Sequence, residues 1–125
     1  MKSIAVKQIN TVFVHVRDLK ISVRWYSDLL GQSVKEEDIM KPVYTFPLSE
    51  TTSLTIDAGP DDAPRKEFHP LPYPLFNLHT HDIDKSWKAA IEKGLSFASD
   101  LTEFDDFAFF TLYDPDENQV MICSG

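Results

Sequence analysis

Cysteine is nearly absent from this chain: Cys123 is the only one in 125 residues. A single thiol cannot close an intrachain disulfide or build a zinc ribbon, which excludes a disulfide-framed secreted scaffold. Glycine is scarce too, with four residues, and no glycine-rich phosphate loop is present. No apolar run approaches the roughly 18 residues a membrane span needs. The segment 1–7 lacks the apolar stretch of a signal peptide, so the expectation is a cytoplasmic protein with no membrane partner. Basic residues are outnumbered, 12 Lys and Arg against 20 Asp and Glu, for a net charge of −8. A field of that sign repels phosphate backbones and argues against nucleic acid as a partner. It suits solubility, or a cationic ligand.

What is present suffices for one soluble folded domain. Hydrophobic residues make up 42% and aromatic residues 12%, and a chain of this length buries about two-thirds of its unfolded surface. Residues 9–16 alternate and are rich in β-branched side chains, with Val12, Val14 and Val16 on one face and Thr11, Phe13 and His15 on the other. Asp18 is then a helix N-cap and Gly31 its stop, with Leu19, Val23, Tyr26 and Leu30 as the apolar stripe. Strands are predicted at 32–35, 43–48 and 53–57, with Pro47 marking an end or edge and 49–52 a turn.

Residues 58–74 hold five of the eight prolines and read as a linker, since proline fixes φ and removes a donor. The pattern then restarts. Residues 75–80 alternate, and Asp82 opens a second helix whose stripe is Ile83, Trp87, Ala90 and Ile91. Strands are predicted near 96–99, 107–113 and 119–123, with a turn at 114–118. An offset of 64 places Asp18 on Asp82, Leu19 on Ile83, Ser22 on Ser86 and Val14 on Leu78. The chain therefore contains strand, helix and three strands, twice.

Three stretches carry a family resemblance. The first is Ile9-Asn10-Thr11-Val12-Phe13-Val14-His15-Val16-Arg17-Asp18-Leu19, followed by Trp25-Tyr26 and Leu29-Leu30-Gly31. The second is Leu78-His79-Thr80-His81-Asp82-Ile83-Asp84 leading to Lys93-Gly94. The third is Phe109-Phe110-Thr111-Leu112-Tyr113-Asp114-Pro115-Asp116-Glu117-Asn118, similar to a strand pair whose turn usually reads Asp-Pro-Asp-Gly-Asn. Together they resemble the vicinal oxygen chelate superfamily, the group of glyoxalase I, bleomycin- and fosfomycin-resistance proteins and extradiol dioxygenases.

The resemblance implies an α+β fold of two tandem βαβββ modules, about 8–57 and 75–123. Their curled mixed sheets would enclose a cavity, and the working unit would be a homodimer. Many such relatives hold one divalent metal through His, Glu or Gln on the first and last strands of each module. The matching positions here are Thr11, Thr55 (or a neighbour), Leu75 and Met121. None is a usual ligand for such an ion, so no metal and no cofactor are expected.

The cavity is expected to be lined by Thr11, Phe13, His15, Tyr44, Thr55, Asp57, Leu75, Asn77, His79 and Met121. Alternation leaves either Phe107 and Phe109 or Phe110 on the same face. Asp57, Asp61, Asp62, Glu103, Asp105 and Asp106 are the acidic candidates for its rim. Aromatic walls with acidic groups suit a planar or cationic organic molecule. The leading reading is thus metal-independent binding and sequestration of a small organic molecule.

Whether the chain turns over a substrate stays open, and rival readings use the same residues. One is a metal-dependent lyase or dioxygenase with ligands shifted to His15, Asp57, His79 and His81. Another is a metal-free isomerase or hydrolase with His15, beside Asp57 or Glu50, or His79 as base. A third is a purely structural or partner-binding domain.

Overall fold

A computed structural model describes residues 2–60 and 69–125. The chain divides into two compact units, Met1–Lys66 and Glu67–Gly125. The central part of the proline-rich stretch, 61–68, lies outside the described residues.

The first unit contains β1 (Thr11–His15), α1 (Leu19–Leu30), β2 (Val43–Pro47) and β3 (Ser53–Asp57). Its sheet has the order β1-β3-β2, with β1 parallel and β2 antiparallel to β3. The alternation seen in the sequence sorts the side chains. Val14 and Val16, with Phe46, Leu54 and Ile56, are buried together with Leu19, Val23 and Tyr26 of α1. Asp18 caps the helix by accepting from the Ile21 backbone N–H at 3.1 Å. Gly31 ends it in the left-handed conformation, φ 65°, which a side chain would disfavour.

The strand expected at 32–35 does not form. The Gln32 N–H donates to the Ser27 carbonyl and its carbonyl accepts from the Ser27 hydroxyl, so helix closure takes the groups a ladder would need. A short 3-10 turn, Glu36–Asp38, follows instead. Among the described residues the first unit is therefore strand, helix and two strands.

The second unit has the complete order: β4 (Asn77–His79), α2 (Ile83–Glu92), β5 (Ser96–Glu103), β6 (Ala108–Tyr113) and β7 (Gln119–Cys123). Its sheet runs β4-β7-β6-β5, with β4 parallel to β7 and the other pairs antiparallel. Trp87 of α2 lies 4.6 Å from Phe97 and 5.2 Å from Phe110, centroid to centroid, and Phe110, Leu112 and Val120 are buried. Asp82 repeats the capping of Asp18, accepting from the Lys85 N–H at 3.1 Å. Ile91, expected in the apolar stripe, is 52% exposed. α2 closes through Ala90, to whose carbonyl the Leu95 N–H donates at 3.1 Å.

The two mixed sheets and two helices make an α+β fold. No helix among the described residues is long and apolar enough to cross a membrane.

The β6–β7 turn is organised by Asp114, which is buried. Its carboxylate accepts from the N–H groups of Asp116 and Asn118, both at 2.8 Å, and from the Asn118 side chain at 2.9 Å. Glu117 occupies the left-handed region at φ 67°, at the place where the family turn has glycine. A non-glycine residue there costs about 1 kcal/mol or more.

Three outcomes follow. Urea denaturation of Asp18→Ala and of Asp82→Ala should each show a loss of about 1 kcal/mol through the lost cap. Glu117→Gly should gain about 0.5 kcal/mol, the relieved strain being partly offset by a freer unfolded chain.

The third outcome concerns Glu36. Its carboxyl titrates below the ordinary carboxylate value because Lys20 Nζ hydrogen-bonds it at 3.1 Å and the Lys20 and Arg24 charges favour the anion. A depressed folded value stabilises the fold above the unfolded carboxylate range, and that contribution is lost as pH falls through the folded value. In an NMR titration Lys20→Met should move the Glu36 midpoint upward, and added salt should shrink the difference.

Candidate functional site

Within each unit, among the described residues, the one α-helix packs on one face of the sheet, and strand register decides which side chains stand on the other. In the first unit the partners are Thr11, Ser53 and Pro47 in one row, Phe13, Thr55 and Thr45 in the next, and His15, Asp57 and Val43 in the third. Phe13 is 52% exposed, while Thr55 is buried and shares a 2.8 Å hydroxyl–hydroxyl hydrogen bond with Thr45. Asp57 stands opposite His15 and accepts from the Gly59 N–H at 2.8 Å. Thr11, Phe13, His15, Thr55 and Asp57 therefore share one face, which alternation along β1 implied for the first three.

Tyr44 does not join them. It pairs with Ile56, which pairs with Val14, so it belongs to the helix-covered face. Its ring meets Phe46 edge-on at 4.9 Å. The core position of Phe46 fixes the parity of β2, and Tyr44 takes the same parity. Glu50 is not beside His15 either, for it precedes Ser53 at the far end of β3 from Asp57.

In the second unit the corresponding rows are Asn77, Met121, Thr111 and Ser99, then His79, Cys123, Phe109 and Thr102. Asn77 Nδ2 lies 4.0 Å from Met121 Sδ. The pairing of Phe13 with Thr55 and of Asn77 with Met121 makes Thr55 and Met121 equivalent in the two units. Leu75 precedes β4 in a bend and is 55% exposed. Of the two phenylalanine alternatives, Phe109 stands on this face, while Phe110 is buried toward Trp87. Phe109 continues into a ring cluster: Phe104 lies 4.9 Å from Phe107 and 6.1 Å from Phe109, the latter nearly parallel at 16°.

The phenylalanine cluster is built by a tight hairpin. The Phe104 N–H donates to the Phe107 carbonyl at 2.8 Å, which leaves Asp105 and Asp106 at the turn corners. Among the rim candidates these two and Glu103 are exposed, and Asp61 and Asp62 lie outside the described residues.

Spacing alone did not identify Thr45, Thr111 or Ser99. Register shifts flank Ser99 on β5, so simple alternation from either end of that strand assigns its face wrongly. Its hydroxyl oxygen is buried with no hydrogen-bond partner among the described residues. Thr111 was the more accessible, since the 114–118 turn sets it opposite Met121.

The positions expected from the resemblance to match relatives' metal ligands, Thr11, Thr55 (or a neighbour), Leu75 and Met121, present two hydroxyls, an aliphatic chain and a thioether. Thr55 is moreover engaged with Thr45. This set does not fit a cation that wants imidazole and carboxylate donors. Among the described residues no group of three His, Cys, Asp or Glu side chains is arranged to hold a metal ion. His79 and His81 do approach each other, Nε2 to Nδ1, at 3.3 Å.

The sequence matches the family described as the Glyoxalase/Bleomycin resistance protein/Dioxygenase superfamily over residues 8–122. No curated protein matches it. Solved structures do, at identities that establish the fold alone. "Oxidase ChaP-H1" is 21% identical with a TM-score of 0.71, covering 97% of both chains. A glyoxalase/bleomycin resistance protein from Catenulispora acidiphila is 21% identical with a TM-score of 0.65, covering 94% of this chain and 97% of its own. A glyoxalase/dioxygenase from Nostoc punctiforme is 18% identical with a TM-score of 0.67, covering 98% of this chain and 97% of its own. With the family match spanning both units and the strand–helix–strand order in place, the chain belongs to the glyoxalase/bleomycin resistance/dioxygenase superfamily.

Proposed function

We propose that this protein binds a small aromatic or cationic organic molecule on the helix-free faces of its sheets, without a metal at the inherited positions, and sequesters it. The observation that carries the reading is the side-chain set on those faces. Aromatic rings, hydroxyls and imidazoles stand on them, while the positions matched to the metal donors of many relatives carry two threonines, a leucine and a methionine. Phe109, with Phe104 and Phe107 beside it, offers ring faces to a planar guest. Asp105 and Asp106 at the same hairpin, with the net charge of −8, favour a positively charged guest. Asn77, exposed on the same face, supplies an amide that orients it. The working unit in this reading is a cytoplasmic homodimer, and light scattering should return twice the 14.3 kDa chain mass.

A thermal-shift screen tests the reading on chelator-stripped protein, with planar aromatic amines and cations set against aliphatic and anionic compounds. A guest at a hundred times its Kd should stabilise the fold by about 2.7 kcal/mol. For a domain of this size that raises Tm by several degrees. Phe109→Ala, corrected for its own lower baseline, should remove most of the shift. The reading fails if no organic compound stabilises the protein, or if every stabilising compound requires added divalent metal.

A further inference from the structure

His79 ends β4, and His81 follows two residues later, just before the N-cap of α2. Their rings meet edge-to-face at 4.8 Å, and Nε2 of His79 lies 3.3 Å from Nδ1 of His81. Both side chains are exposed. That nitrogen separation matches two ligands of one tetrahedral ion, since metal–nitrogen bonds of about 2.05 Å would subtend about 107° across it.

The backbone between the two histidines is tied on each side. The Thr80 N–H donates to the Cys123 carbonyl at 2.9 Å, which anchors the strand end. The Thr80 hydroxyl accepts from the Asp82 N–H at 3.2 Å and shares a 2.7 Å bond with Ser86 of α2. Asp82 in turn caps the helix through Lys85. These bonds fix the backbone of the corner, and the two exposed imidazoles stand close together on it.

We propose that His79 and His81 chelate one late first-row divalent ion, Zn2+, Ni2+ or Cu2+, as a two-imidazole site separate from the positions relatives use. Imidazole pairs select these borderline ions over Mg2+ and Ca2+, and Cu2+ should bind tightest. Cys123 is the strand partner of His79, but its sulfur accepts from the Gly125 N–H at 3.4 Å. With no three donors grouped among the described residues, two protein ligands leave the remaining positions to water or an oxygen donor. The inference does not rest on the sequestration reading, because the ion alone is the probe.

The experiment uses tag-free, chelator-stripped protein titrated with Cu2+ and Zn2+ by calorimetry, with Zn2+ also followed through the imidazole NMR signals. The expected result is one ion per chain, with the His79 and His81 signals moving and those of His15 and His69 unchanged. His79→Ala and His81→Ala should each weaken binding at least about tenfold, and circular dichroism should confirm that both remain folded. The proposal is overturned if either variant binds as the parent does, if the ion follows His15 or His69, or if the parent binds no more tightly than free imidazole.

Discussion

The parallel pairing of the first strand of each unit with its last strand is the constraint on which the rest depends. It sets Phe13 against Thr55 and His15 against Asp57 in one unit, and Asn77 against Met121 and His79 against Cys123 in the other. A parallel pair needs a crossover, and α1 and α2 begin those crossovers, each opened by an aspartate that accepts its third-residue N–H. Once a helix covers one face, alternation within the strands and register between them decide which side chains stand on the opposite face. The candidate site is therefore a by-product of how the core is sorted.

The elements that could be read from sequence were those governed by local rules. Asp18 and Asp82 announced both helices, and the alternation of Val12, Val14 and Val16 against Thr11, Phe13 and His15 placed β1 correctly. Pro47 marked the end of β2. What escaped was set by neighbours. The parity of Tyr44 follows from its pairing with Ile56, and the face of Ser99 from register shifts on β5. The 32–35 segment had strand-like residues, but Ser27 holds both backbone groups of Gln32. The closeness of His79 and His81 depends on a strand-to-helix corner whose geometry spacing does not give.

The two units treat equivalent positions differently. Where the first unit has the exposed ring of Phe13 beside a Thr55–Thr45 hydroxyl pair, the second has Asn77 beside Met121. One combines an aromatic surface with hydroxyls, the other an amide with a polarisable sulfur. Neither pair offers the imidazole and carboxylate donors that a bound divalent transition metal takes.

Strand parity also bears on how such a chain changes over generations. Inserting or deleting one residue within β2 would exchange Thr45 for Tyr44 and Phe46 across the sheet and expel the core with it. Replacing a side chain such as Phe13 or Val43, each exposed on the helix-free face, disturbs little that is buried. Divergence is thereby channelled into point replacements on one side of each sheet. The architecture can then persist while the sequence drifts, as the structural matches near one-fifth identity over nearly the whole chain illustrate.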